Sequence, residues 1–489
     1  MEEKFPAQNY KKNVLSDCFE DAKKYFLKPY LDVDYAHGVM LAEQGILTAE
    51  EVRDIMKALR QIDFDSLRKI EYDGSFEDMF FLFQREITSR CDADTAGKLH
   101  TARSRNDIDV TIYRLTLREY ALRLIDSAIE LRRVFLSLAA KHHETLIPAY
   151  THTQPAQPST LAHFLLSMAE NVSRDIRRLR SAFENMNNCP LGSGAITTTG
   201  FPISRHRVAG LLGFKEPTVN SYGSIASVDY FTETLGATAA LLVNIGKFAQ
   251  EFLLMAMMEF DVIRLPDGYV QGSSIMPQKR NPVALEHIRA IGSKALGQTL
   301  GVFTSVHNTP FGDINDVEDD LQPLIYSAMN DANRAVSLFG ATLEAATFKT
   351  ETLRRRASEN FITVTELADT IVRKENVSFR IAHKIVGASV KAALGAGTDI
   401  NYKIVQSAAN EVLGRDLSMS EAEVIESLTP ENFVGVRTIY GGPAPDETRR
   451  ALAAESIKAE NDVKWLADTR EALVNAEKNL QAEVDKLIG

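Results

Sequence analysis

Cysteine is scarce in this sequence: Cys18, Cys91 and Cys189 are the three present in a chain of 489 residues. Their odd number and wide spacing, with no Cys-x-x-Cys pair, argue against a disulfide framework and against a zinc ribbon. No His-x-x-x-His pattern or His/Cys cluster with metal-ligand spacing occurs, so we expect no metal site. Free cysteines fit a reducing compartment, and we therefore expect a cytoplasmic protein.

Positive charge is in deficit, because 55 lysine and arginine residues stand against 66 aspartate and glutamate residues, giving a net charge of −11. A surface of this sign repels phosphate backbones and anionic lipid headgroups, so we expect neither nucleic acid nor membrane as a partner. The first residues lack the basic start and apolar stretch of a secretion signal. The longest uncharged run, residues 145–169, contains three prolines and two histidines and is too polar to span a bilayer.

Proline is absent from four long tracts, which are residues 106–147, 159–189, 218–265 and 324–429. Because a helix interior rarely tolerates proline, such tracts can run as unbroken helices. In the first of them, apolar residues recur every three to four positions, which is the pattern of an amphipathic helix. Strict alternation of apolar and polar residues is scarce, so little sheet is expected. The sequence therefore predicts a mainly helical fold.

The third of these tracts is apolar nearly all round between Leu235 and Met255, with only Lys247 and Glu251 interrupting it. A helix without a polar face has to be surrounded by other helices. This pattern predicts the centre of a helical bundle. Two arrangements are open at this point: a bundle shared between the subunits of an oligomer, or the interior of one large monomer.

Three polar segments interrupt the helices, and the first is residues 100–107, His-Thr-Ala-Arg-Ser-Arg-Asn-Asp. Ser104, Asn106 and Asp107 are residue types favoured at helix N-caps, so one interpretation is a capped helix start with surface arginines. The other is a carboxylate receptor, because a guanidinium fork and free backbone N–H groups at a helix N-terminus converge on an anion.

The second segment is residues 150–158, Tyr-Thr-His-Thr-Gln-Pro-Ala-Gln-Pro. Its two prolines predict an extended loop ahead of Ser159, which we expect to cap the next helix. His152 has two interpretations. It is an ordinary surface histidine, or it is a general acid or base, a role for which its pKa near working pH suits it.

The third segment is residues 271–282, Gln-Gly-Ser-Ser-Ile-Met-Pro-Gln-Lys-Arg-Asn-Pro. Asn281 as a cap and Pro282 as the first helical residue predict an ordinary helix start. Residues 272–274 would then form a mobile turn whose hydroxyl and N–H groups, with Lys279 nearby, can meet an anion. Such a loop could close over a substrate and exclude water.

This third segment closely resembles the signature of the fumarase, aspartase and argininosuccinate lyase superfamily, and the first two are similar to the companion motifs of the argininosuccinate lyase branch. Five shorter stretches carry further resemblance to that branch, namely residues 42–48, 190–195, 367–369, 382–387 and 431–437. The likeness extends from about residue 30 to about residue 445.

The resemblance implies an all-α, fumarase/aspartase-like fold with three helical domains, expected at residues 1–106, 107–360 and 361–489. The central domains of four subunits would join their long helices into the twenty-helix core of a homotetramer. Each active site would collect the three segments from three different subunits. The family splits a carbon–nitrogen or carbon–oxygen bond of a succinyl group and releases fumarate, with no metal and no organic cofactor.

The same resemblance gives roles to residues of the third segment. Ser273 matches the base that removes the proton beside a carboxylate, and its alkoxide would be favoured by loop N–H groups and by the ammonium of Lys279. Lys279 and Asn281 would hold the carboxylate on which negative charge grows.

Substrate binding and proton delivery are assigned by the resemblance to the other segments. His152 matches the histidine that assists proton delivery to the leaving nitrogen, directly or through water, and Glu286 matches the carboxylate that orients it. The positions that match the family's dicarboxylate-binding residues are Ser104, Arg105, Asn106 and Thr151.

Two stretches depart from the branch's pattern. Residues 220–229 read Asn-Ser-Tyr-Gly-Ser-Ile-Ala-Ser-Val-Asp, where the branch usually has Asn-Ser-x-Asp-Ala-Val-Ser-Asp-Arg-Asp. The branch's tyrosine, glutamine and lysine that bind the arginine part of the substrate align with Gly312, Val317 and Asp320. This alignment puts a carboxylate in place of the lysine.

Acidic residues are crowded in the same region, with five in eight residues: Asp313, Asp316, Glu318, Asp319 and Asp320. One interpretation is the ordinary enrichment of acids at a helix start. The other is a site that selects a cationic amine tail in place of an amino acid.

The sequence thus predicts a carbon–nitrogen lyase that splits an N-substituted aspartate into fumarate and an amine by anti elimination, with argininosuccinate as the expected substrate. One alternative is a related enzyme for another aminocarboxylic acid, such as ethylenediamine-disuccinate. A second alternative is a structural protein of the crystallin kind, which shares this fold.

Overall fold

The computed structural model describes residues 5–489, and helices account for most of that part of the chain. We number the α-helices in chain order. They are α1 Gln8–Tyr10, α2 Ser16–Tyr25, α3 Leu27–Glu43, α4 Ala49–Arg60, α5 Phe64–Arg68, α6 Met79–Thr88, α7 Ala93–Lys98, α8 Arg105–Lys141, α9 Leu161–Met186, α10 Arg205–Leu211, α11 Ser221–Ala226, α12 Asp229–Ala256, α13 Val283–Val306, α14 Gln322–Glu344, α15 Thr350–Arg356, α16 Val364–Glu375, α17 Phe379–Ala396, α18 Tyr402–Leu413, α19 Glu421–Ser427, α20 Pro430–Gly435 and α21 Pro445–Ile488.

Strands in the described residues form only four two-stranded pairs: β1–β2, β3–β4, β5–β8 and β6–β7. The strands are β1 Leu146–Thr151, β2 Gln154–Thr160, β3 Asn188–Cys189, β4 Glu216–Pro217, β5 Ile263–Arg264, β6 Gln271–Gly272, β7 Arg280–Asn281 and β8 Thr347–Phe348. The all-helical fold class predicted from the proline-free tracts is confirmed.

Five long helices, α8, α9, α12, α13 and α14, pack side by side as a bundle. Its centre is built from aromatic rings: Phe339 meets Phe135 with ring centroids 6.1 Å apart and Phe252 with centroids 5.8 Å apart. Edge-to-face ring pairs of this kind add to the free energy gained by burying apolar area. The predicted central bundle of long helices is therefore present within a single chain.

Helix α12 packs against α9, α13 and α14, yet part of its apolar surface is open in the single chain. Val243 is 51% exposed, and Leu300 on the neighbouring α13 is 56% exposed. By length and composition alone α12 could cross a membrane, and 33% of its most apolar stretch is buried within the chain. Its packing against three other bundle helices is that of a core helix.

The remaining helices surround the bundle. Helices α16 to α19 have a small hydrophobic core of their own that includes Leu367, Ile385 and Val405. The last helix, α21, instead turns back and packs against α3, α4, α8 and α9. The domain boundaries expected at residues 106/107 and 360/361 stay predictions.

Two helix starts differ from the sequence-based expectation by one or two residues. The side chain of Thr160, and not that of Ser159, caps α9, and it accepts a hydrogen bond from the backbone N–H of His163 at 3.1 Å. Asn281 does not cap α13, because it lies in β7 paired with Gln271, and the helix begins at Val283.

Candidate active site

The first polar segment begins α8, as the sequence predicts. Arg105, the first residue of the helix, lies between two carboxylates: its Nη1 donates to Glu77 Oε1 at 3.0 Å and to Asp78 Oδ2. Its guanidinium also lies over the ring of Phe81, 5.4 Å from the centroid. One nitrogen of the guanidinium therefore carries both ion pairs, and the other two have no hydrogen bond within the described residues.

Asp107, in the first turn of α8, is completely buried and holds this helix start in place. Its carboxylate accepts hydrogen bonds from the backbone N–H of Ser104 at 2.8 Å, of Gly192 at 2.8 Å and of Gly194 at 2.9 Å. Burial raises the pKa of Asp107 to about 6, against the opposing effect of these N–H donors. These hydrogen bonds join residues 104–107 to the 190–195 loop. That loop is one of the shorter stretches whose sequence resembles the argininosuccinate lyase branch.

A cavity of about 270 Å³ opens beside Arg105 and Asn106, and carboxylates dominate its wall. Four members of the acidic run line it: Asp313, Glu318, Asp319 and Asp320. Tyr30 donates its hydroxyl to Asp109 Oδ1 at 3.0 Å, and Tyr113 donates to Asp319 Oδ1 at 2.7 Å.

The carboxylates of this cavity perturb one another. Burial, followed by the neighbouring Asp319, raises the pKa of Asp109 well above its usual range. Burial and the neighbouring Asp313 raise the pKa of Glu318 to about 8. Among residues 5–489, Arg105 is the single arginine or lysine in the cavity wall. Closely spaced carboxylates with so little compensating positive charge favour the binding of a cationic ligand.

His152 lies at the tip of a β-hairpin made by β1 and β2, where the sequence predicts an extended loop. His152 and Thr153 form the two-residue turn, with φ of 51° and 62°, and this left-handed conformation is the one that tight hairpin turns require. The imidazole is exposed, and no hydrogen bond or ion pair reaches it from residues 5–489. Non-glycine residues in this conformation are concentrated at functional sites.

Ser273 follows β6 in a second hairpin, which β7 closes. Its Oγ accepts hydrogen bonds from the backbone N–H groups of Ile275 at 3.3 Å and of Met276 at 3.1 Å. Two N–H groups aimed at one oxygen stabilise negative charge on it. Arg280 holds the base of the hairpin through Asp267 and the carbonyl of Leu265 at 2.9 Å. Lys279 is exposed, as are most residues of the loop.

The single chain brings only part of the predicted site together. Asn106 Nδ2 donates to the carbonyl of Ala195 at 3.3 Å, which adds to the contact between the first segment and the 190–195 loop. In residues 5–489, no hydrogen bond or ion pair connects His152, Glu286 and Ser273, and Glu286 is exposed on the first turn of α13. Thr151 pairs with Gln154 at the hairpin tip.

Sequence reasoning missed several contributors to this site. Asp78 is recognisable as a helix cap, since its side chain accepts from the backbone N–H of Phe81 at 3.1 Å. Its ion pair with Arg105 is a tertiary contact that no local sequence pattern predicts. The same holds for Glu77 and for the contact of Tyr113 with Asp319. Within the described residues, no group of three or more His, Cys, Asp or Glu side chains is arranged to hold a metal ion.

Comparison with known proteins agrees with this architecture. The family model described as lyase matches residues 32–297, and the model described as argininosuccinate lyase C-terminal matches residues 361–435. Argininosuccinate lyase 2 of Agrobacterium fabrum is 41% identical over 459 residues, which cover 92% of this chain and 90% of that protein. Argininosuccinate lyase of Methanosarcina mazei is 34% identical and covers 95% and 94%.

Among solved structures, ethylenediamine-disuccinate (EDDS) lyase in complex with formate superposes with a TM-score of 0.87 at 32% identity, covering 96% of this chain and 93% of that one. The 3-carboxy-cis,cis-muconate lactonizing enzyme of Pseudomonas putida shares the fold with a TM-score of 0.72 at 18% identity, covering 89% and 95%.

The bundle, the hairpin loops and these matches define a lyase of the fumarase/aspartase superfamily. Within that superfamily the chain belongs to the argininosuccinate lyase branch, and it is a carbon–nitrogen lyase. The resemblance stated from the sequence motifs is confirmed.

Proposed function

We propose that this enzyme splits an N-substituted aspartate into fumarate and an amine, with argininosuccinate, which would give arginine, as the first substrate to test. The observation that carries the proposal is the pair of backbone N–H groups that point at Ser273 Oγ, in the same loop as the Lys279 ammonium. This arrangement favours an alkoxide at Ser273, and an alkoxide can remove the weakly acidic proton beside a carboxylate.

Removal of that proton places a second negative charge on the neighbouring carboxylate. Lys279 and Asn281 lie in the loop and in the strand that closes it, where a cation and an amide can stabilise this charge. The nitrogen on the adjacent carbon then leaves with the electron pair, and His152 supplies the proton that it needs. His152 is accessible at the hairpin tip, and no hydrogen bond or ion pair from residues 5–489 engages its imidazole.

Ser104, Arg105, Asn106 and Thr151 are proposed to fix the two carboxylates of the succinyl unit. Arg105 engages Glu77 and Asp78 through Nη1, which leaves Nε and Nη2 as donors for a substrate carboxylate. The paired carboxylates also hold the guanidinium in place before substrate arrives.

A homotetramer with composite sites is the proposed assembly. Within residues 5–489 of one chain, no hydrogen bond or ion pair joins Ser273, His152 and Glu286, yet the mechanism requires them around one substrate. The exposed apolar side chains of α12 and α13, such as Val243 and Leu300, give the surface on which copies of the bundle can meet. We also propose that the enzyme works in the cytoplasm, in keeping with three free cysteines.

The amine end of the substrate is proposed to face the acid-lined cavity beside Arg105. Its carboxylates favour an amine that carries a further positive charge. This observation favours a second candidate, an aminocarboxylic acid with a diamine end such as ethylenediamine-disuccinate, and the solved structure of EDDS lyase is similar to this chain.

Fumarate release, followed by its ultraviolet absorbance, tests both candidates. The purified protein is given argininosuccinate and ethylenediamine-disuccinate separately, with the Ser273→Ala variant as the control for background elimination. Turnover of argininosuccinate supports the first candidate, and turnover of the diamine compound alone replaces it by the second. Absence of fumarate from both would contradict the proposal and would favour a structural, crystallin-like role.

A further inference from the structure

Asp107 is an unusual feature of the site, because it is a completely buried carboxylate whose hydrogen bonds within residues 5–489 all come from backbone N–H groups. One oxygen accepts from Ser104 N at 2.8 Å, on its own helix. The other accepts from Gly192 N at 2.8 Å and Gly194 N at 2.9 Å, on a loop more than eighty residues away. A single side chain therefore ties the start of α8, which carries the predicted dicarboxylate-binding residues, to the 190–195 loop.

The loop is built to present those two N–H groups. Gly192 and Gly194 have φ of 88° and 61°, a region that residues with a Cβ rarely adopt. A Cβ on Gly192 would lie 2.7 Å from Arg205 Cγ, and one on Gly194 would lie 2.9 Å from the carbonyl oxygen of Thr198. Arg205 holds the loop from the far side, donating to the Leu191 carbonyl at 3.2 Å and to Ser193 Oγ at 3.1 Å.

We infer that Asp107 is a positioning residue that braces the start of α8 against the 190–195 loop and thereby sets the places from which Ser104 and Asn106 hold the substrate's carboxylates. The inference rests on the proposed function for the identity of that substrate. Asp107 itself is buried and touches no substrate. It acts through Ser104, whose N–H it holds, and through Asn106, whose side chain donates to Ala195 in the braced loop.

The brace also makes binding sensitive to acid. Ionised Asp107 accepts three N–H donors, and a proton on either oxygen turns that oxygen into a competing donor. Burial raises the pKa of Asp107 to about 6, so this loss falls near that pH. The ionisable groups that face Asp107 are Arg103, Arg205 and Cys189. Neither arginine forms an ion pair with it, because Arg103 pairs with Asp34 and Arg205 bonds to loop oxygens.

Protonation of Asp107 should weaken substrate binding but should not destabilise the fold. This difference distinguishes a positioning role from a purely structural one. A carboxyl whose pKa is raised from 3.8 in the folded state binds its proton more tightly there than in the unfolded chain. This group therefore favours the folded state as pH falls from about 6 towards its unfolded pKa of 3.8. Loss of dicarboxylate binding at acid pH with no loss of melting temperature is the expected signature.

Asp107→Asn tests the brace, because the amide keeps the shape and replaces one accepting oxygen by a donor. We expect kcat/KM to fall about 10- to 100-fold at neutral pH, mostly through KM. The ratio of the wild-type kcat/KM to the variant kcat/KM should shrink as pH falls below about 6, since wild-type Asp107 then loses its charge. The matched control is Asp92→Asn, another helix-capping aspartate that accepts two backbone N–H bonds at α7, and its kinetics should equal those of the wild type.

Amide hydrogen exchange measures the same brace without turnover. In the Asp107→Asn variant, the peptide covering residues 190–198 should exchange faster than in wild type and in Asp92→Asn.

Gly194→Ala perturbs the same contact on the loop. Its effect on fumarate affinity, measured by calorimetry, should be less than additive with the effect of Asp107→Asn.

Unchanged exchange in the 190–198 peptide, or a lower melting temperature with unaltered KM and fumarate affinity, would overturn the inference. These outcomes are distinct from failure of the proposed function. If the wild type releases no fumarate from either candidate substrate, the function fails, while exchange and fumarate binding still decide the role of Asp107.

Discussion

The two hairpin loops and the start of α8 carry the predicted chemistry, and they are held in very different ways. Residues 104–107 are fixed by ion pairs to residues 77 and 78 and by the buried Asp107. The Ser273 loop is held by its own short strand pair and by Arg280 at its base, and Ile275 near its tip is 82% exposed. With the roles proposed above, the substrate-binding residues lie on a rigid part of the protein and the base lies on a part that can move.

This division has a physical rationale. A dicarboxylate receptor gains affinity when its donors are fixed before the ligand arrives. A base that must be shielded from water benefits from a loop with little packing of its own, because such a loop can close after binding. The difference between the two parts can be tested by removing groups from each of them.

Ser273→Ala should have the largest effect. It removes the proposed base and leaves residues 104–107 intact, so kcat should fall about 10³- to 10⁴-fold with KM nearly unchanged. Initial rates of fumarate release measure both constants. The matched control is Ser274→Ala on the neighbouring exposed serine, for which we expect less than about a 5-fold change. Equal losses in the two variants would refute the assignment of the base.

His152→Asn should cost about 10²-fold in kcat, because proton delivery to the leaving nitrogen is lost. Asparagine tolerates the left-handed backbone that His152 adopts, so the hairpin turn should persist. Thr153→Asn changes the adjacent turn residue in the same conformation and should leave the rate intact. A rate for His152→Asn equal to wild type would show that the proton comes from elsewhere.

Mixing two impaired variants should restore activity several-fold above either parent if sites are shared between subunits. Ser273→Ala and His152→Asn are dissociated, mixed and reassociated, and fumarate release is measured. Hybrid assemblies then contain sites in which the intact Ser273 and the intact His152 come from different chains. Ser273→Ala mixed with Lys279→Met is the control, because both changes lie in one loop and no site should regain both groups. Recovery in the control alone would contradict a composite site.

Glu318→Gln should have the smallest effect and should probe the acid-lined cavity. Burial and Asp313 raise the pKa of Glu318 from 4.5 to about 8, so the folded chain binds that proton more tightly than the unfolded chain. Stability contributed by this group is lost as pH rises through about 8. The melting temperature of wild type should therefore drop more than that of the variant between about pH 6 and about pH 9, by about 1–3 °C. Asp316→Asn, on an exposed residue of the same segment, should behave like wild type.

The parts of the fold that were predictable from sequence are the ones governed by local rules. Proline-free tracts gave α8, α9 and α12 because helix formation depends on local backbone freedom. The hairpin at His152 was missed, since prolines in both strands favour a loop and neither turn residue is glycine. A two-residue turn with positive φ normally carries asparagine, aspartate or glycine, and His-Thr gives no such signal.

The candidate site is predictable as three segments, and the contacts that the first segment makes with distant parts of the chain are not. The ion pairs of Arg105, the reach of Asp107 to Gly192 and Gly194, and the position of Glu318 beside Arg105 all join residues far apart in sequence. Burial and charge neutralisation decide such contacts, and a single sequence has no pattern that encodes them. The sequence alone therefore leaves two interpretations of the acidic run, and it does not reveal that the run lies beside the first segment.

The last helix has a consequence for how the chain is made. Leu466, Leu480 and Val484 of α21 belong to the same hydrophobic core as Phe19 and the other early residues. During translation, the amino-terminal helices leave the ribosome long before their carboxyl-terminal partner has been synthesised. Their apolar surfaces stay open over that interval, when nascent chains are most prone to aggregation. The core of this enzyme is therefore complete only after α21 has been synthesised, although its other helices are made much earlier.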